Sequence, residues 1–201
     1  MAHQIPLSRP DITQKEIDAV VEVLSTPTLS IGPMVEEFEN LVARLTGRRH
    51  AVGVSSGTAG LHCAMIAAGI RPGDEVITTP FSFVASANCI LYVGAKPVFV
   101  DIDPKTLNID LEKVAAAITP RTRGIVGVEV FGHPGGMVEL EQMAQKHELV
   151  FIEDACEGLG GMAGYEVDDQ GRSRRDTSDK ARGVTREHAV GGCRGRRLSC
   201  G

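Results

Sequence analysis

The chain has 201 residues, 42% of them hydrophobic, enough to bury one core with an extension and too little for several domains. A formal net charge of −5 excludes a general attraction to nucleic acid or to an anionic membrane, so small-molecule chemistry is the expectation. The start, MAHQIPLSRPDITQKE, lacks the basic, apolar and small-residue pattern of a secretory leader, and no apolar run approaches bilayer-spanning length; a cytoplasmic location is expected.

In chain order, Thr13 with Glu16 makes a capping box for a first helix, whose apolar face carries Ile17, Val20, Val21 and Leu24. A second helix starts near Pro33, with Phe38, Leu41, Val42 and Leu45 as its stripe and Gly47 as its stop. Short apolar runs at 50–54, 75–78, 97–101, 124–130 and 149–152 then read as strands buried on both faces. Helical stretches at 59–68, 82–92, 111–118 and 137–147 separate them. Parallel neighbours need a crossover, so this alternation predicts an α/β fold of three layers, a mainly parallel sheet with helices on both faces.

The composition changes at Met162. Residues 162–201 hold eight of the fifteen arginines and seven glycines, with one leucine and no isoleucine, phenylalanine or proline. Their charge is +3, against −8 for residues 1–161. The expected division is therefore 1–161, N-terminal helices plus the α/β domain, and 162–201, a basic Gly/Arg-rich tail, disordered by composition or foreign to this fold. The cysteines (Cys63, Cys89, Cys156, Cys193 and Cys200) form no CxxC pair, and the histidines are scattered without ligand spacing, so no metal site is expected.

Open α/β sheets bind ligands beyond the carboxyl ends of their strands, which directs attention to three segments. Ser55-Ser56-Gly57-Thr58-Ala59-Gly60 is a glycine-containing turn opening a helix, where free N–H groups and the helix dipole favour a phosphate; a plain helix cap at Ser56 or Thr58 accounts for the same residues. It is neither the GxGxxG dinucleotide fingerprint nor a P-loop, which removes most support for NAD and ATP. Thr79-Pro80-Phe81-Ser82-Phe83 brings two aromatics to the same edge in a chain with 4% aromatic content, either to cover a flat ligand or to plug the core. The run 150–152 ends in Glu153-Asp154-Ala155-Cys156-Glu157, where a partly desolvated carboxylate can pair with a ring cation such as a protonated pyridine, or cap the next turn. A phosphate cradle, a stacking aromatic and a ring-nitrogen carboxylate on one sheet edge together describe pyridoxal phosphate.

At these residues the sequence resembles the DegT/DnrJ/EryC1/StrS family of sugar aminotransferases, of the aspartate-aminotransferase fold type. The likeness covers roughly residues 4–161 and runs through IPLSRPDIT, GPMVEEFE, AVGVSSGTAGLH, GDEVITTPFSFVASANCI, PVFVDIDPKTLNID, VEVFGHP and VFIEDACEGLG, in that order. The resemblance implies that Gly57, Thr58 and Ala59 hold the cofactor phosphate, that Phe83 stacks on the pyridine ring and that Asp154 pairs with its nitrogen. Glu157 stands where the family places a polar side chain near the ring hydroxyl. The implied activity moves an amino group from an amino acid, glutamate in typical members, to a nucleotide-linked keto sugar, in a homodimer with its active sites at the subunit interface.

The family's Schiff-base lysine lies downstream of the aspartate, in a serine- and phenylalanine-containing segment ending in Asn-Lys, and no such segment follows Asp154 here. Lys180 is the one later lysine, in the polar run Asp176-Thr177-Ser178-Asp179-Lys180-Ala181, without strand character. Some family members are dehydratases with histidine at that place, and the surroundings of His188 match no better. The likeness stops at Gly161, so a frameshift or truncated reading frame is the expectation, and with it little or no transaminase activity. Two other readings stay open: a non-catalytic α/β fragment that binds a phosphate ligand or a partner, and an unrelated nucleotide-binding enzyme, for which the Gly57-Thr58 turn alone speaks.

Overall fold

The computed structural model describes residues 9–161 and, beyond them, the backbone of three short strands at Tyr165–Val167, Ser173–Arg175 and Arg197–Cys200. The reading of 162–201 as a tail, including Lys180 and His188, otherwise lies outside the described residues. The chain divides into two compact units, residues 1–53 and 54–201.

In the first unit, the Thr13 N–H donates to Glu16 Oε2 at 2.6 Å while the Thr13 hydroxyl accepts from Lys15, so the capping box forms and helix α1 runs over Gln14–Leu24. Pro33, whose fixed φ suits the first helical position, opens helix α2, Pro33–Leu45; Gly47 past its end takes a left-handed φ of +64°. The apolar stripes fall where the sequence puts them, yet all but the half-buried Val42 remain exposed: α1 buries no residue and α2 buries Ala43 alone.

The second unit alternates α3 (Gly57–Ala67), β1 (Glu75–Thr78), α4 (Ala85–Tyr92), β2 (Lys96–Phe99), α5 (Leu111–Ala117), β3 (Thr122–Val128), α6 (Met137–Lys146) and β4 (Val150–Asp154). The three later strands are β5, β6 and β7 in chain order; β5 and β6 pair antiparallel, and β7 joins the main sheet. That sheet is parallel throughout, in the order β2-β1-β3-β4-β7. Strand residues point alternately to its two faces. Val76, Val126 and Ile152 meet Leu61 and Met65 of α3 and Ile90 of α4, while Ile77, Ile125 and Phe151 meet Val114 of α5 and Leu140 of α6. This gives the three layers read from the sequence, with both faces of the central strands buried.

Two strand readings need correction. Residues 50–54 form no strand, because no neighbouring strand among the described residues receives their backbone groups. The run read at 97–101 is not buried on both faces: β2 spans Lys96–Phe99 at the sheet edge, with Lys96 and Phe99 exposed. The N–H groups of Lys96 and Val100 donate inward to Asp74 and Thr78 of the β1 side at 2.9 Å each, which by alternation turns the nitrogen of Pro97 toward the open edge.

At the amino ends of the strands, Glu75 is buried and accepts from Thr119 Oγ1 at 2.7 Å and Arg121 Nη2 at 2.8 Å, with Lys96 Nζ at 3.4 Å. These donors, the Thr119 hydroxyl first and Arg121 next, hold its carboxyl at about 2. Among the described residues, no helix is long and apolar enough to cross a membrane.

Candidate active site

The chain leaves β1 for α4 on one face of the sheet and leaves β3 for α6 on the other, while β1 and β3 are neighbours. Their exit loops therefore part, and a crevice opens between them at the carboxyl edge. A cavity of about 570 Å³ occupies this place, lined from the start of α3 and from the segments after β1, β3 and β4.

Each wall has a local cause. Ser56 is extended and its hydroxyl accepts the Ala59 N–H at 3.1 Å, capping α3; the first intrahelical bond runs from Gly60 to Ser56 at 3.0 Å. The N–H groups of Gly57 and Thr58 precede that bond, and both residues line the cavity. Ala59 is not among the lining residues, and its N–H donates to the Ser56 hydroxyl. A side-chain carbon at Gly57 would lie 3.1 Å from Cys156 Sγ, so glycine keeps the backbone open to the cavity here.

After β1, the Thr79 hydroxyl accepts the Phe81 N–H at 3.1 Å and turns the chain, with Pro80 between them. Phe83 is 75% exposed and lines the cavity, so it does not plug the core. Phe81 meets Phe131 edge to face, with centroids 6.3 Å apart.

Asp154 ends β4, lines the cavity and is 6% exposed. Its Oδ2 accepts the Ser86 hydroxyl at 2.7 Å, and Ser86 Oγ lies 2.7 Å from Ser82 Oγ. The Asp154 carbonyl accepts the Glu129 N–H at 3.1 Å. Glu157, in the following turn, is exposed, and its Oε2 accepts the Phe131 N–H at 2.9 Å. Phe131 and Gly132 both take positive φ, +53° and +74°, and a side-chain carbon at Gly132 would lie 2.7 Å from the Glu157 carbonyl oxygen, so that position needs glycine.

Of the residues singled out in the sequence, Gly57, Thr58, Phe83, Asp154 and Glu157 thus share one cavity, and Ala59 stands behind it. Sequence reasoning passed over Ser82, Ser86, Glu129 and Phe131. Glu129 lies inside the run 124–130 read as strand and Phe131 just beyond it, and Ser86 is the one serine of the mostly apolar helix ASANCILY. The cavity offers helix-start donors at one end, a buried carboxylate at another and an aromatic face beside them. It suits a flat molecule with an anionic group and a ring N–H.

The sequence model of the DegT/DnrJ/EryC1/StrS aminotransferase family matches residues 10–172. Spore coat polysaccharide biosynthesis protein SpsC of Bacillus subtilis is 47% identical over 78% of this chain and 40% of its own length. GDP-perosamine synthase of Caulobacter vibrioides is 42% identical over 78% of this chain and 43% of its own. The crystal structure of NtdA from Bacillus subtilis with bound cofactor PMP superposes with a TM-score of 0.70 at 38% identity, over 74% of this chain and 35% of that one. The chain therefore spans about two fifths of the length of the curated relatives it matches. With the family match running through every wall of the cavity, this chain belongs to the DegT/DnrJ/EryC1/StrS aminotransferase family.

Proposed function

We propose that this chain carries the cofactor-binding part of a cytoplasmic, pyridoxal-phosphate-dependent sugar aminotransferase, which moves an amino group from an amino acid such as glutamate to a nucleotide-linked keto sugar. The observation that carries the reading is the opening of the α3 start and the Asp154 carboxylate into one cavity. The residues fit the group: Gly57 leaves the cradle open, and a carboxylate with acceptor capacity left over is buried among the walls. When bound, the cofactor supplies an amino-group carrier and an electron-withdrawing pyridinium ring.

The N–H groups of Gly57 and Thr58 and the Thr58 hydroxyl grip the phosphate; Ala59, behind them, contributes through the helix dipole. Phe83 covers a ring face. Asp154 accepts the ring N–H and holds that proton on the nitrogen. Glu157, an acceptor already tied to Phe131, receives the ring hydroxyl as donor. The bare apolar stripes of α1 and α2 suit burial against a second copy of the chain, in keeping with a homodimer.

The test is titration of the full chain with pyridoxamine phosphate, the amino form of the cofactor, followed by ring fluorescence. Saturable binding that falls at least tenfold in Asp154→Asn supports the reading. No binding, or binding indifferent to Asp154, refutes it. Mass detection of an amino sugar after adding a nucleotide-linked keto sugar to the loaded chain tests the substrate class.

A further inference from the structure

We infer that Ser86, with Ser82 behind it, is a positioning residue for the ring-nitrogen carboxylate: a one-way hydroxyl chain occupies Asp154 Oδ2 and leaves Oδ1 for the ring. The inference rests on the cofactor reading above. Ser86 is 1% exposed on the face of α4 that also buries Ala85, Cys89 and Ile90. A hydroxyl among such neighbours is costly unless bonded, and its bond crosses to a residue 68 positions away at the end of β4.

Hydrogen counting sets the direction. A serine hydroxyl has one hydrogen, and that of Ser86 goes to Asp154 Oδ2 at 2.7 Å. At the 2.7 Å contact with Ser82, Ser86 is therefore the acceptor and Ser82 the donor. Donation runs Ser82 to Ser86 to Asp154, starting at a residue that lines the cavity. Each bond polarises the next.

The consequence concerns the proton on a bound ring. Ser86 O–H and ring N–H are both donors, and a carboxylate meets both as acceptor only. Moving the ring proton onto Asp154 at Oδ1 would cancel the negative charge to which Ser86 donates at Oδ2, and so weaken that bond. Ser86 thereby fixes the carboxylate's rotation and disfavours the state in which the ring loses its proton. Without it the carboxylate is free to turn about its last bond, and ring binding and ring protonation weaken together.

The test uses the full chain with pyridoxamine phosphate carrying an isotope-labelled ring nitrogen, whose NMR shift reports protonation across pH. In Ser86→Ala we expect affinity to fall about tenfold and the bound ring to deprotonate at lower pH. Ser86→Thr, which keeps the hydroxyl, should restore both, and Ser82→Ala should move the titration the same way by less. Ser82 is only partly buried, so that variant remains informative if Ser86→Ala fails to fold. Unchanged affinity and titration in Ser86→Ala, or lost affinity with an unchanged ring titration, overturns the inference and leaves the cofactor reading standing. Absence of any ring signal on the unaltered chain overturns the cofactor reading, and this inference with it.

Discussion

The Glu157 carboxylate accepts the backbone N–H of Phe131 at 2.9 Å, tying the turn after β4 to the turn after β3 across the mouth of the cavity. Phe131 sits there in a left-handed conformation that its own side chain disfavours, so the bond holds a strained turn in place. Glu157→Ala should speed hydrogen exchange at the Phe131 amide by about tenfold, with little change in melting temperature because the bond is at the surface. Glu157→Gln, which keeps an acceptor, should fall between.

A second tether acts from below. Asn108 is 2% exposed; its amide donates to the carbonyls of His133 at 2.8 Å and Gly135 at 2.7 Å, while its Oδ1 accepts the Val130 N–H at 3.0 Å. Asn108→Ala leaves three backbone groups to find new partners and should cost about 2–4 kcal/mol by chemical denaturation. Asn108→Asp should be no better, since it turns an acceptor toward two carbonyls.

Glu75 makes stability depend on acid. Its carboxyl is held at about 2, against an ordinary 4.5, by the Thr119 hydroxyl and then by Arg121. The folded state thus binds its proton less readily than the unfolded chain, so the stabilisation is complete above pH 4.5 and is lost as the pH falls toward 2. Denaturation midpoints of the parent chain and Glu75→Gln should differ by a constant amount above roughly pH 5 and converge as the pH approaches about 2.

Lys180 is the one lysine after Asp154, and it stands outside the segment context that the family gives its cofactor-bonding lysine. Borohydride treatment of the chain with pyridoxal phosphate, followed by peptide mass mapping, should find no stoichiometric label at Lys180.

The sequence made the middle of the fold legible because the centres of the strands at 75–78, 122–128 and 150–154, Val76-Ile77, Ile125-Val126 and Phe151-Ile152, are buried on both faces, and such stretches read as short apolar runs. It misread 50–54 for the complementary reason: an apolar run says what a segment can bury, and pairing needs a neighbour that no local pattern reveals. Within the cavity, Gly57, Thr58, Phe83 and Asp154 were found by looking just beyond strand ends. Ala59, named with them by the resemblance, has its N–H on the Ser56 hydroxyl, a bond that no local sequence pattern distinguishes among helix-start N–H groups. Ser86 was missed because its partner is 68 residues away, and serine in a helix carries no signal of what it faces.

The proline in β2 has a consequence for how molecules meet. With the nitrogens of Lys96 and Val98 committed inward, a strand laid along this flank would find Phe99 as its one N–H donor across the four residues of β2, beside a lysine charge. Edge-to-edge stacking of copies is blunted on that flank, which lets the chain be concentrated without zipping sheet to sheet there.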